Sequence, residues 1–99
     1  MKGPETQFRT KTIQRFKVIF GRCDFISMNP PPVQGFPDVL IIGPKGQHIY
    51  LEFKAHEWSE HQPNQDFWIK RLNNGVTYAR FIYPENQEEI RLWLIGLLI

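Results

Sequence analysis

The chain has 99 residues, of which 41% are hydrophobic, 14% aromatic and 22% charged, and its formal net charge is +2. This length predicts one domain, residues 1–99, with a single core, and it disfavours an enzyme that needs a deep small-molecule pocket or a large bound cofactor. The composition is typical of a packed globular protein and excludes a disordered one.

The charge is unevenly distributed along the chain. The first 22 residues contain one acidic residue and six basic ones, so the remainder is net negative. This asymmetry suggests an N-terminal face that attracts polyanions, with acidic residues elsewhere around a cation. The alternative is an ordinary solvated helix face. The six basic residues are Lys2, Arg9, Lys11, Arg15, Lys17 and Arg22.

Cysteine content and hydropathy bear on the compartment. The single cysteine, Cys23, cannot form an internal disulfide, and no signal-peptide pattern is present. We therefore expect a cytoplasmic protein, of a bacterium or a phage-infected host cell, that does not enter a membrane. The apolar run 92–99 is shorter than the ~20 residues that cross a bilayer. It is predicted to be a buried helix end or a subunit contact.

The hydrophobic periodicity predicts an α/β fold with a mixed central sheet flanked by helices, in the order α-β-β-β-α-β-α. The predicted elements are a helix over 4–20, strands over 23–28, 39–42 and 48–54, a helix over 63–73, a strand over 76–83 and a helix over 87–98. Prolines exclude regular structure between the first two strands. The inner side of the first helix is predicted from Phe8, Ile13, Phe16, Ile19 and Phe20, with Glu5 inside the same arc, and that of the second helix from Phe67, Ile69 and Leu72.

The second and third predicted strands are joined by a glycine-bounded turn, 43–46, which is typical of a hairpin. Two registers remain open. Asp38 lies opposite Leu51 in one of them, and opposite Glu52 if the turn contains a one-residue bulge. Side chains alternate along a strand, so Lys54 shares a face with Glu52. Either register brings two carboxylates together beside a lysine.

This arrangement suits phosphodiester hydrolysis. A hard divalent cation prefers oxygen ligands, and Mg²⁺ commonly takes one or two carboxylates and keeps several waters. Asp38 and Glu52 are the predicted carboxylate ligands, and the main-chain carbonyl of Phe53 is a further candidate. Lys54 can orient the attacking water or stabilise the charge of the transition state. A Glu-x-Lys pattern alone is usually an exposed ion pair, so the prediction depends on the Pro-Asp and the glycine turn nearby.

The motifs Gly35-Phe-Pro-Asp38 and Glu52-Phe-Lys54, followed by Gln65, resemble the PD-(D/E)XK nuclease superfamily, and more closely its VRR-NUC family. The resemblance spans nearly the whole chain. It implies a restriction-endonuclease-like fold, Mg²⁺ or Mn²⁺ as cofactor, DNA as substrate and a homodimer that selects branched DNA such as Holliday junctions. A proline-rich insertion, Pro30 to Pro32, departs from the family pattern.

The same resemblance implies roles for individual residues. The aspartate and second acidic residue of the family bind the metal and the lysine assists the water, which correspond to Asp38, Glu52 and Lys54. The family also uses an acidic residue on the first helix, for which Glu5 is the candidate, and a glutamine after the lysine strand, for which Gln65 fits.

Alternatives remain open for several candidates. Glu5 can instead interact with the helix dipole or pair with Arg9. Gln62 competes with Gln65 for the role of site glutamine. The histidines are expected at the surface, and Trp68 and Trp93 in the core or an interface. Candidate contacts to nucleic acid are Arg9, Lys11, Arg15, Trp58, His61, Lys70 and Arg71.

The sequence therefore predicts a divalent-metal-dependent endodeoxyribonuclease with no small-molecule cofactor. The alternative is a catalytically inactive nucleic-acid-binding or assembly protein on the same fold. An exonuclease with the same chemistry also fits these residues.

Overall fold

The computed structural model of the protein describes residues 3–99, so Lys2 lies outside it. The predicted order α-β-β-β-α-β-α is confirmed. Several elements are one residue shorter at an end than predicted. In chain order they are α1 (Pro4–Ile19), β1 (Asp24–Ser27), β2 (Val39–Ile42), β3 (His48–Phe53), α2 (Gln65–Leu72), β4 (Tyr78–Ile82), a 3₁₀ turn (Pro84–Asn86) and α3 (Gln87–Leu98).

The four strands form one mixed sheet in the order β1-β2-β3-β4. The first two pairings are antiparallel, and β4 runs parallel to β3. In the β2–β3 hairpin Val39 lies opposite Leu51. Continuing this register by one residue sets Asp38 opposite Glu52, so the bulged alternative is the correct one. Gly46 makes the turn possible, because its φ of +80° is one that residues with a side chain rarely adopt.

The hydrophobic core lies on the sheet face that α1 and α3 cover. Burial of apolar side chains on this face supplies the main stabilisation of the fold. The prediction for α1 is right for Phe16 and Phe20 and wrong for Ile19, which is 44% exposed at the last position of the helix. The core residues are Phe16, Phe20, Val39, Ile41, Ile49, Leu51, Phe53, Ile82, Ile90, Leu94 and Leu98.

The opposite face of the sheet carries Tyr50 and Glu52 and is covered by α2. Phe36, from the proline-rich loop, joins the helix to the sheet. Its ring centroid lies 5.6 Å from that of Tyr50 and 5.3 Å from that of Trp68 in α2, both in edge-to-face contact. This face is therefore covered by one short helix and by loops.

The second helix begins later than predicted. Asn64 has a φ of 72°, in the left-handed region, so α2 begins at Gln65 instead of Pro63. The prediction that Phe67 faces inward is wrong, because it is 58% exposed. Trp68, Ile69 and Leu72 are half-buried and supply the inner side.

The last strand also begins later than predicted, at Tyr78 instead of residue 76. The side-chain oxygen of Asn74 accepts hydrogen bonds from the main-chain nitrogens of Val76 at 2.9 Å and Thr77 at 3.0 Å. A side chain that binds neighbouring main-chain groups holds a turn, and the strand starts only after it.

The C-terminal helix is amphipathic. Leu94 and Leu98 are buried, while Leu92 is exposed on the outer side. No helix within residues 3–99 has both the length and the apolar character needed to cross a membrane.

Candidate active site

Asp38 precedes β2, and the adjacent strand fixes its side chain. Its Oδ2 accepts a hydrogen bond of 3.0 Å from the main-chain nitrogen of Phe53, the last residue of β3. Its main-chain carbonyl accepts from Met28 at 2.7 Å, beyond the end of β1. The carboxylate is therefore held at the end of the hairpin, beside Glu52.

Glu52 is a buried acid with incomplete hydrogen bonding. Only 3% of its surface is exposed. Its Oε2 accepts a hydrogen bond of 3.2 Å from the side-chain amide of Gln65, whereas no donor in residues 3–99 reaches its Oε1. A buried carboxylate oxygen without a donor is costly, which favours a proton or a cation at this position.

The surroundings of Glu52 raise its pKa from 4.5 to about 9. Burial is the largest cause, because it disfavours the charged form. The charge of Asp38 and a hydrogen bond that a protonated Glu52 shares with it raise the pKa further, whereas Lys54 opposes the shift. Without a cation, Glu52 is therefore protonated at neutral pH.

Lys54 is the third member of the predicted centre, and it is also 3% exposed. Its main-chain nitrogen donates to the carbonyl of Ile82 at 2.9 Å, which continues the pairing with β4. Its Nζ donates to the carbonyl of Glu60 at 3.1 Å. Its positive charge lowers the pKa of both Glu52 and Glu5, so the ammonium lies close to the acidic groups.

Asp38 and Glu52, with Lys54 beside them, form the acidic centre. Of the two candidate glutamines, Gln65 contacts this centre. It is the first residue of α2 and is 8% exposed. While its amide nitrogen donates to Glu52, its Oε1 accepts from the main-chain nitrogen of Gln62 at 2.9 Å. Gln62 itself is exposed and contributes that main-chain donor.

A close main-chain approach places the start of α2. Gly35 has a φ of +85°, and a Cβ built on it would lie 2.6 Å from the carbonyl carbon of Asn64 and 2.7 Å from the carbonyl oxygen of Pro63. Only glycine permits this approach. Gly35 belongs to the motif Gly35-Phe-Pro-Asp38, but the sequence does not predict this contact, because nothing in it indicates which segment packs against the loop.

Glu5 and Arg9 approach the centre from α1. Burial is the largest cause of the raised pKa of Glu5, followed by the charge of Asp38. The ion pair of Arg9 is with Asp38, Nη1 to Oδ1 at 3.8 Å, instead of with Glu5. Arg9, predicted as a DNA contact, thus also touches a predicted metal ligand.

The predicted ligand set fits a hard divalent cation. Asp38, just before β2, and Glu52, in β3, supply carboxylate oxygens, and no donor within residues 3–99 reaches Glu52 Oε1. Within residues 3–99 no group of three or more histidine, cysteine, aspartate or glutamate side chains forms a metal cluster, so Glu5 does not complete one. The carbonyl of Phe53 as a ligand stays a prediction.

The other predicted contacts to nucleic acid are exposed. Trp58 is 73% exposed, and its ring stacks on His56 with centroids 4.5 Å apart. The basic residues lie on helices that cover opposite faces of the sheet. Lys11 and Arg15 are exposed on α1, and Lys70 and Arg71 are exposed on α2.

No protein-family model, curated protein or solved structure matches the chain. The resemblance to the VRR-NUC family therefore depends on the motif residues themselves.

Proposed function

We propose that the protein is an endodeoxyribonuclease that uses Mg²⁺ or Mn²⁺. The supporting observation is the juxtaposition of two carboxyl groups, Asp38 and Glu52, with the buried lysine Lys54 at one end of a hairpin. A bound divalent cation would neutralise phosphate charge and activate water. Its predicted ligands are Asp38, Glu52 and the carbonyl of Phe53.

The other residues of the centre have distinct roles in this proposal. Lys54 orients the attacking water and stabilises the negative charge that develops on the phosphate. Gln65 holds the Glu52 carboxyl, and the main-chain nitrogen of Phe53 holds that of Asp38. Glu5 adds negative charge near the lysine.

The proposal extends to substrate and assembly. Basic residues on α1 and α2 would bind the phosphate backbone, and the exposed indole of Trp58 would stack on an unpaired base. These features favour branched DNA over linear duplex. A homodimer would supply one centre for each DNA strand, and sedimentation of the purified protein tests this form.

Cleavage assays with defined DNA substrates test the function. Four-way junction, flap, single-stranded and linear duplex DNA are incubated with Mn²⁺, Mg²⁺ or EDTA. We expect cleavage with either cation and none in EDTA. Lys54→Met should lower the rate by about 100-fold or more, since a preorganised charge at the phosphate is lost. DNA binding and folding should stay largely intact.

The matched control is Lys45→Met, which removes an exposed lysine in the β2–β3 turn, away from the acidic centre. Its cleavage rate should equal that of the parent. Full activity of Lys54→Met, or cleavage in EDTA, would contradict the proposal. DNA binding without cleavage of any substrate would instead favour the catalytically inactive nucleic-acid-binding protein.

A further inference from the structure

The loop between β3 and α2 is fastened to the acidic centre on both sides of His61. On one side, Lys54 Nζ donates to the carbonyl of Glu60 at 3.1 Å. On the other, the main-chain nitrogen of Gln62 donates to Oε1 of Gln65 at 2.9 Å. Two residues of the predicted site thus fix the main chain around this histidine.

The ring of His61 lies on the same sheet face as Glu52. It stacks on Phe81 with centroids 4.2 Å apart and an interplanar angle of 22°. Phe81 in β4 is the register partner of Glu52 in β3, so their side chains stand beside each other on one face. The imidazole is therefore one strand away from the acidic centre.

Asp66 orients this imidazole. Its Oδ1 lies 2.8 Å from Nδ1 of His61, and because a carboxylate accepts, Nδ1 carries the proton. The neutral ring then has an unprotonated Nε2, to which nothing in residues 3–99 hydrogen-bonds. The side chain of His61 is 32% exposed, so water reaches it.

The three groups of the predicted centre, Asp38, Glu52 and Lys54, are not free to accept a proton. Asp38 accepts from the Phe53 nitrogen and pairs with Arg9. Glu52 is protonated without a cation and is a predicted ligand with one. Lys54 carries a positive charge. The proposed hydrolysis still needs a group that accepts a proton from water near neutral pH, a task for which histidine is suited.

We propose that His61, oriented by Asp66, is the general base that accepts the proton of the attacking water. This inference rests on the proposed nuclease function. The water oxygen forms a bond to phosphorus while its proton passes to Nε2. The bond from phosphorus to the leaving oxygen breaks, and that oxygen takes a proton from solvent. Asp66 stabilises the imidazolium, which then returns its proton to solvent.

Chemical rescue tests the role directly. His61→Ala should cleave DNA about 100-fold more slowly than the parent, because general-base catalysis typically contributes 10²-fold or more. Added imidazole should restore activity, and a series of substituted imidazoles should rescue better as their pKa rises. A proton donor would give the opposite trend. Binding of the same DNA in EDTA should change little.

The matched control is His56→Ala. His56 belongs to the same loop and also contacts a carboxylate, Glu85, but it stacks on Trp58 instead of a neighbour of Glu52. Its removal should leave the cleavage of linear duplex DNA, which offers no unpaired base to Trp58, close to the parent rate. Asp66→Asn keeps the His61 side chain and should slow cleavage, and added imidazole should not restore the rate. This variant tests the proposal if His61→Ala does not fold.

The outcomes separate this inference from the nuclease function. If the parent cleaves DNA and His61→Ala is equally active, or imidazoles do not rescue it, His61 is not the base while the function stands. If the parent cleaves no substrate with either cation, the nuclease function fails and the role of His61 fails with it.

Discussion

The side-chain amide of Gln65 donates a hydrogen bond of 3.2 Å to Oε2 of Glu52, across 13 positions of sequence. This bond joins the first residue of α2 to the buried acid of β3. The position of α2 therefore affects how the Glu52 carboxyl is held. Any change that moves the start of the helix should change the rate of cleavage.

Gly35→Ala should shift the start of α2. The new methyl would meet the main chain of Asn64 and Pro63 at less than 3 Å, and φ at this position is +85°. We expect the free energy of unfolding to fall by about 2 kcal/mol or more, since strain adds to an unfavourable left-handed backbone. Denaturant unfolding measures the change, and DNA cleavage should fall with it.

Gly46→Ala is the matched control for this prediction. Gly46 also has a positive φ, +80°, but a Cβ there meets nothing within 4 Å. It should lose only about 1 kcal/mol and keep its cleavage rate. If the two variants are equally stable and equally active, the contact between Gly35 and Asn64 does not position the site.

The raised pKa of Glu52 predicts a pH-dependent stability. As pH rises from 4.5 towards 9, the unfolded chain releases this proton while the folded protein keeps it. Without a cation, the free energy of unfolding should fall over this range, by at most about 1.4 kcal/mol per pH unit. Denaturant unfolding in EDTA at several pH values measures the slope.

Glu52→Gln removes the titrating group that causes this slope. At pH 8 in EDTA the variant should be more stable than the parent, and below pH 4.5 the two should be similar. Glu57→Gln, which changes an exposed acid in the neighbouring loop, should keep the slope of the parent. A Glu52→Gln variant with an unchanged slope would show that this acid is not the cause.

Cation binding should release protons. A metal that binds Glu52 requires its charged form, and without metal this carboxyl is protonated at pH 7 because its pKa is about 9. Titration calorimetry with Mn²⁺ in two buffers of different ionisation enthalpy should show release of about one proton per site. Equal apparent enthalpies in the two buffers would exclude a protonated Glu52 at the binding site.

Arg9 and a cation should compete for Asp38. The guanidinium lies 3.8 Å from Oδ1 of Asp38, and its side chain is 22% exposed. Arg9→Gln should therefore tighten Mn²⁺ binding about two- to fivefold, the range of a partly exposed ion pair. It should also weaken DNA binding, because a phosphate contact is lost.

Lys11→Gln provides the comparison. It removes the same charge from an exposed position of α1 that forms no ion pair within residues 3–99. Its Mn²⁺ affinity should match that of the parent in calorimetry. An equal rise in Mn²⁺ affinity in both variants would mean that the affinity depends on the overall charge of the protein and not on the ion pair with Asp38.

Local patterns were sufficient to predict the order of the elements, which the structure confirms. Alternation and glycine turns predicted the strands, and a period of two placed Lys54 with Glu52. Errors occurred where side chains bind neighbouring main-chain groups or a residue takes an unusual backbone angle. The hydrogen bonds to Asn74 make β4 begin later than predicted, and the left-handed backbone of Asn64 does the same for α2.

The order of amino acids is enough to specify which chemical groups are present and which of them are close along a strand, because strand geometry repeats every two residues. The choice between two hairpin registers, the contact of Gln65 with Glu52 and the stacking of His61 on Phe81 depend on tertiary packing. These contacts join segments that are distant in sequence. They depend on how the loops and helices pack, which no local pattern encodes.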